Sequence, residues 1–318
     1  MKNNIIKRKI NTVLHNPQSI LQKILYLTSP IFSDNFYLKL LFPLKTGYKL
    51  NINSPKTYNE KLQWLKIHYR KPIMTQMVDK FAAKEFARNI IGDEYIVESY
   101  GVWDSFDEIN FDKLPTQFVL KTTHDQGGVV IVTNKEVFDK KAVKEKLNRH
   151  LKVEHYYLTR EWPYKNVRPR IMAEELLSDD KVDDLYDYKF YCFHGEPKLM
   201  YISHGNQSDI KYLDFFDMNF SKVNINRPGF SQSKLEFNIP ENWELMKSLA
   251  RSLSNGFPHL RVDFYNISGR VYLGELTFFQ GGGMMPFYPN DWDLILGSWI
   301  DLEAVKKEIN WIDINENS

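Results

Sequence analysis

The clearest alternation of apolar and polar positions runs through HLRVDFYNISGRVYLGELTFFQGGG, residues 259–283. Arg261-Val262-Asp263-Phe264-Tyr265 has the period of two of a strand, Asn266-Ile267-Ser268-Gly269 is a turn cluster, and Arg270 to Phe279 reads as a second strand. A three-residue loop, Ile267-Ser268-Gly269, with Gly269 in the left-handed region, is the expected closure. It sets Asp263 opposite Leu273 and Arg261 opposite Glu275, so Arg261, Asp263 and Glu275 share a face. A two-residue loop would put Asp263 and Glu275 on opposite faces.

The same pattern predicts the remaining elements. Thr57-x-x-Glu60 is a capping box, followed by an apolar stripe of Tyr58, Leu62, Leu65 and Tyr69. A helix over Asp79–Ile91, closed by Gly92, carries Lys80, Lys84 and Arg88 at helical spacing, which reads as a solvated face. Tyr95–Val102 reads as a strand. Phe118–Lys121 and Val129–Thr133 form a hairpin around the polar, glycine-bearing loop Thr122–Gly128. A helix at Lys140–Leu151 and a strand at Arg170–Leu177 follow. Asp187–Phe193 and Lys198–Ser203 make a second hairpin, with Asp187, Lys189, Tyr191 and Phe193 on one face. Tyr212–Phe216 is a strand, Asn224–Ser233 a loop containing Pro228-Gly229, and Glu241–Asn255 and Asp301–Ile309 are helices.

Composition narrows the class. The chain has 318 residues, of which 43% are hydrophobic, enough for a substantial core. Its net charge is only +2, so no global field favours nucleic acid. The charge is uneven: residues 1–50 hold eight Lys or Arg against Asp34 alone, a surplus of seven, which leaves the remainder at minus five. This basic arm has two readings: a helix lying on an anionic membrane surface, or a helical segment packed on the body with its lysines in water. The first gives peripheral contact with the inner face of the membrane. A single cysteine, Cys192, suits a reducing compartment. With no signal-peptide pattern and no apolar run of about 18 residues, a cytoplasmic protein is the expectation. The aromatic and basic segment Glu154–Arg170 has the interleaving of a single-strand nucleic-acid binder, but no basic surplus outside the arm supports it, and nucleic acid is not expected as a partner. The same segment could stack a sugar ring; a structural role is favoured.

No P-loop, dinucleotide-binding fingerprint, nucleophile elbow or zinc-binding helix motif occurs. Oxygen-ligand chemistry remains. Asp263 and Glu275 offer carboxylates to a hard cation, and Lys121 beside Gly127-Gly128 could hold phosphate.

The order of these signals resembles an ATP-grasp fold, from about Met77 to Pro289. Asp79-Lys80, FVLKTTHDQGG, REWPYKNVRPRIMAEELL, DYKFYCFHGEPKLMYIS and RVDFYN…VYLGELTFFQGGG are similar to the TupA-like (teichuronopeptide biosynthesis) family found among capsule and cell-wall polysaccharide proteins. The resemblance implies an α+β fold: two α+β subdomains gripping a nucleotide, with a helical N-terminal arm. The expected division is an arm at 1–50, an N-terminal subdomain at 51–115, a B subdomain with a glycine lid hairpin at 116–175, and a C subdomain with the metal and phosphate site at 176–318.

The resemblance also implies roles. Lys121 would reach the ATP phosphates, and Gly127-Gly128 would close over them. Glu174, Glu175, Leu176 and Leu177 would form the hinge facing adenine; Glu174, Glu175, Asp183 and Asp187 are all candidates for the ribose hydroxyls. Lys189 would sit near the phosphates. Asp263 and Glu275 would hold Mg²⁺, and Arg261 would steady the transferred phosphoryl group. Thr277 stands where many members have Asn, which implies a weaker or water-mediated second metal contact. The implied activity is ATP- and Mg²⁺-dependent ligation of a uronic-acid carboxylate to an amino acid or small amine in polysaccharide biosynthesis. A glycosyltransferase is the alternative, with Asp291-Trp292-Asp293 as an Asp-x-Asp metal site.

Overall fold

The computed structural model describes residues 17–178, 185–205 and 210–316. Asp183, one of the ribose candidates, lies outside them. The helices are α1 Pro17–Leu27, α2 Asp34–Thr46, α3 Tyr58–His68, α4 Ile73–Val78, α5 Ala82–Ile91, α6 Lys140–His150, α7 Tyr156–Thr159, α8 Trp243–Ser254, α9 Asp291–Ser298 and α10 Leu302–Glu316. The strands are β1 Ser99–Trp103, β2 Phe118–Thr122, β3 Val129–Val132, β4 Ile171–Glu174, β5 Asp187–Phe193, β6 Glu196–His204, β7 Tyr212–Phe216, β8 Lys222–Val223, β9 His259–Ile267 and β10 Arg270–Thr277.

Two antiparallel sheets organise the molecule. The smaller has the order β1-β4-β2-β3, the larger β10-β9-β5-β6-β7-β8. A short parallel bridge, Ile96 to Leu273, ties the approach to β1 to the edge strand of the larger sheet. In β9 the alternation sends Leu260, Val262 and Phe264 to one face, where they are fully buried. That face packs against α8, whose stripe of Trp243, Met246, Ala250 and Leu253 is buried as the sequence pattern requires. The Phe190 and Trp243 rings meet there at 5.4 Å. Arg261, Asp263 and Tyr265 go to the other face.

The capping box at the start of α3 forms as expected. Glu60 N–H donates to Thr57 Oγ1 at 3.2 Å, and Thr57 N–H donates to Glu60 Oε2 at 3.1 Å. The helix starting near Asp79 begins at Ala82, with the Asp79 carboxylate accepting from the Phe81 and Ala82 N–H groups at 2.9 and 3.1 Å.

Residues 17–50 pack on the body through one face, and Leu21, Ile24, Leu27 and Ile31 on the other stay exposed. Leu25, Tyr37, Leu38, Leu41 and Phe42 form a core with Met284, while Lys23, Lys39, Lys45 and Lys49 are exposed. Residues 1–16 lie outside the described residues. Among the described residues no helix is long and apolar enough to cross a membrane.

The aromatic and basic segment serves this docking. Arg160 is buried over the rings of Tyr37, Tyr156 and Tyr157 at 4.4–5.3 Å and donates to the Phe32 carbonyl at 3.1 Å. Trp162 Nε1 donates to the Tyr69 carbonyl at 3.2 Å. None of the segment's side chains lines the cleft between the sheets.

Candidate functional site

A cleft of about 740 Å³ separates the two sheets. Its carboxylate wall comes from β9 and β10. Here the structure corrects the expected hairpin. Ile267 pairs with Arg270, so the turn has two residues, Ser268 and Gly269, at φ +49° and +81°. These positive angles suit the right-handed twist of the strands. Such a turn alone would separate Asp263 from Glu275. A bulge at Gly274 restores the parity: Leu273 pairs with Phe264, but Glu275 pairs with Asp263 and Thr277 with Arg261. A side chain at Gly274 would meet the Tyr265 ring, its Cβ lying 3.1 Å from Cε2. The shared face is therefore real, but with Asp263 opposite Glu275 rather than Leu273.

β5 continues the row, with Lys189 opposite Asp263 and Asp187 opposite Tyr265. Arg261 Nε and Nη2 donate to the two oxygens of Asp263 at 2.6 and 2.7 Å. Nη2 also reaches Glu275 Oε2 at 3.3 Å and Thr277 Oγ1 at 3.0 Å. Lys189 bridges Asp263 at 2.6 Å and Asp187 at 2.5 Å. Burial alone would raise the Asp263 pKa, but Arg261 and Lys189 overcome it and hold the group below its ordinary value. At Asp187 burial wins over Lys189, and its pKa is raised to about 6. One Asp187 oxygen, Oδ1, is buried without a partner among the described residues.

The opposite wall is cationic. Lys121 on β2 pairs with Glu174, and Lys84 on α5 reaches the other Glu174 oxygen at 2.8 Å. Burial would raise the Glu174 pKa, but the two lysines bring it below its ordinary value. Lys80 donates its Nζ to the Asp125 carbonyl and its N–H to the Thr123 carbonyl at 2.9 Å. Burial lowers the Lys80 pKa, and Glu275 across the cleft is the acid that most opposes this. Lys80 and Lys84 thus line the cleft instead of forming a solvated face.

The glycine hairpin is anchored at its base. Thr122, Thr123, His124 and Asp125 are buried, with Asp125 bonded to Thr122 and His150. Gln126 and Gly127 line the cleft, whereas Gly128 closes the turn, its carbonyl accepting from Thr122 N–H at 2.8 Å. Glu174, Glu175, Leu176 and Leu177 line the cleft at the end of β4. The Glu175 N–H is used by the Glu98 carbonyl at 3.0 Å.

Gly281, Gly282 and Gly283 all have positive φ, and a Cβ at Gly282 would lie 2.6 Å from Thr159. Their loop is held by Lys66, which donates to the Gly282 carbonyl at 2.6 Å, the Thr159 carbonyl at 2.7 Å and Gln63 Oε1 at 2.9 Å. Sequence reading missed Lys66, Gln280 and Arg227. Gln280 and Arg227 line the cleft, and Arg227 immediately precedes Pro228-Gly229, a signal for a fixed turn.

Among the described residues no cluster of three His, Cys, Asp or Glu ligands is assembled in advance. Asp263 and Glu275 still fit a hard divalent cation, which takes one or two carboxylates and otherwise water and phosphate oxygens. The unpartnered Asp187 oxygen beside them is a third hard donor. Asp291-Trp292-Asp293 does not form such a site. Asp293 is buried, accepting from Asn59 N–H at 3.0 Å and the Tyr48 hydroxyl at 2.7 Å, and so fastens α9 to α3.

Two antiparallel sheets facing each other across a cleft, with lysines from β2, α5 and the turn before α5 opposite paired acids on β9 and β10, define an ATP-grasp protein. The family model described as TupA-like ATPgrasp matches residues 60–301, and the chain belongs to this family. No curated protein matches the sequence. Among solved structures, D-alanine–D-alanine ligase from Bacillus anthracis is 16% identical, with a TM-score of 0.42 over 73% of this chain and 69% of that one. The ligase from Helicobacter pylori is 14% identical, with a TM-score of 0.39 over 77% and 69%. A RimK domain ATP-grasp protein from Sphaerobacter thermophilus is 10% identical, with a TM-score of 0.38 over 71% and 69%. The family match carries the assignment.

Proposed function

We propose that the protein is an ATP- and Mg²⁺-dependent ligase that joins a carboxylate to an amine through an acyl phosphate. Its proposed substrates are a uronic-acid-containing saccharide and an amino acid or small amine, in capsular or cell-wall polysaccharide assembly. The observation that carries this reading is the pair of facing walls: Lys80, Lys84 and Lys121 opposite Asp263, Glu275 and Asp187.

A carboxylate is a poor electrophile. Its oxygen attacks the γ-phosphorus of ATP, the bond to the β–γ bridging oxygen breaks, and ADP leaves. The amine then attacks the acyl carbon, phosphate departs with the bonding electrons, and the amine loses a proton. Such transfer needs positioning and charge neutralisation more than a protein nucleophile. Lys80, Lys84 and Lys121 would neutralise phosphate oxygens, and Glu174 fixes two of these lysines. Asp263 and Glu275 would hold Mg²⁺, which when bound neutralises further phosphate charge. Arg261 holds both acids in place. Leu176 and Leu177 would face adenine, and the tip at Gln126-Gly127 would cover the phosphates.

The test is coupled ADP release over a panel of uronates and amines. ADP and phosphate are expected only when ATP, a carboxylate and an amine are all present. A stable phosphorylated product formed without an amine would indicate a kinase. Consumption of a nucleotide sugar without ATP would indicate a glycosyltransferase.

A further inference from the structure

Arg227 is a buried cation that the scheme above does not use. Its backbone is fixed on both sides. Asn226 exchanges two hydrogen bonds with Tyr288, at 2.8 and 2.9 Å, and Phe230 N–H closes the Pro228-Gly229 turn onto the Arg227 carbonyl at 3.2 Å. The side chain is only 3% exposed, and its guanidinium lies 4.8 Å from the centre of the Phe287 ring. Nη1 donates to the Tyr191 hydroxyl at 3.3 Å. It also donates at 2.6 Å to the Gln280 amide oxygen, in the amide orientation that satisfies both of its ends. The same oxygen accepts from Arg261 Nη1 at 3.2 Å and from the Tyr201 hydroxyl at 2.8 Å. Among the described residues the buried Nε has no partner and no carboxylate pairs with Arg227.

The contrast with its neighbours is informative. Arg261 and Lys189 are somewhat less hidden, yet both are neutralised by Asp263. Withdrawing an unpaired ion from water is strongly unfavourable even after relaxation. A guanidinium held rigidly on an aromatic face in the cleft wall, with only neutral partners, is prepared for an anion from outside. The lysines proposed to serve the nucleotide stand on the other wall of the cleft, on β2, on α5 and just before it, whereas Arg227 shares Gln280 with the arginine of the acid pair.

We infer that Arg227 is a specificity-determining residue that receives a carboxylate of the saccharide substrate, with Gln280, Tyr191 and Tyr201 fixing its orientation. This rests on the ligase reading for its choice of substrate. A neutral sugar of the same shape would leave the guanidinium unpaired and bind weakly.

Calorimetric titration with D-glucuronate and the uncharged D-glucuronamide, with and without Mg²⁺ and AMPPNP, provides the test. Glucuronate is expected to bind at least tenfold more tightly than the amide, and Arg227→Gln to remove the difference while Arg227→Lys keeps part of it. In the wild-type protein, glucuronate should shift the Arg227 Nε–H resonance, a readout that does not depend on any variant folding. Equal binding of the two sugars, an unchanged preference in a folded Arg227→Gln protein, or an unmoved Nε–H would overturn the inference. So would inorganic phosphate shifting that resonance when glucuronate does not. If AMPPNP fails to bind the wild type, the ATP reading falls, while the glucuronate arm without nucleotide still decides the role of Arg227.

Discussion

At Asp263, two cations depend on one acid. Its side chain is 1% exposed, and it neutralises both Arg261 and Lys189. Asp263→Asn should therefore remove ADP release and also destabilise the fold by about 3–5 kcal/mol, the usual cost of breaking a buried ion pair. Chemical denaturation of variant and wild type checks the second effect. Lys66 offers a pH test. Burial lowers its pKa from 10.5 to about 7. Between those values the unfolded chain binds the proton more readily than the native one, so this group makes stability rise from pH 7 toward pH 10.5. Below pH 7 both states are protonated and its contribution is flat. Lys66→Met should lose the upward slope between neutral and alkaline pH in urea titrations. Residues of these kinds were unequally legible. Arg261, Asp263 and Glu275 announced themselves through strand alternation. Lys80 and Lys84 did not, because helical spacing alone cannot tell a cleft from open water. Lys66 and Arg227 acquire their roles from residues far along the chain.

At the level of the element, the hairpin shows why periodicity was not sufficient. The alternation placed the strands correctly, and the requirement that both acids share a face was met. The extra residue, however, sits at Gly274 in the strand and not in the turn. A glycine inside a strand is the usual sign of a bulge or a close approach, and Tyr265 lying against Gly274 supplies the close approach. Deleting Gly274 should remove the bulge and leave Glu275 opposite Asp263 in a regular ladder, so ADP release should persist with far-ultraviolet circular dichroism unchanged. Deleting Leu273 and Gly274 together should instead set Glu275 opposite Phe264, on the far face, and reduce ADP release to background. Loss of activity on deleting Gly274 alone would mean that Gly274 matters for more than strand parity.

For the whole molecule, the TupA-like resemblance identified the ATP-grasp fold, and the family model confirms that membership over residues 60–301. What sequence could not supply is how distant segments interlock, since local patterning carries no information about which faces meet. A ligand spanning both walls should report on that interlocking. AMPPNP with Mg²⁺ at about one hundred times its dissociation constant should stabilise the protein by about 2.7 kcal/mol, and EDTA should remove most of this gain. Thermal unfolding with and without chelator measures it. Another consequence concerns synthesis on the ribosome. The amide of Asn59 is satisfied by the Met285 carbonyl, 226 positions later, and Lys66 closes on Gly282, 216 positions later. At roughly 5–20 residues per second of elongation, the early helices wait on the order of ten to fifty seconds for these partners. During that interval the apolar faces of Tyr37, Leu38, Leu41 and Phe42 have no Met284 to close over them.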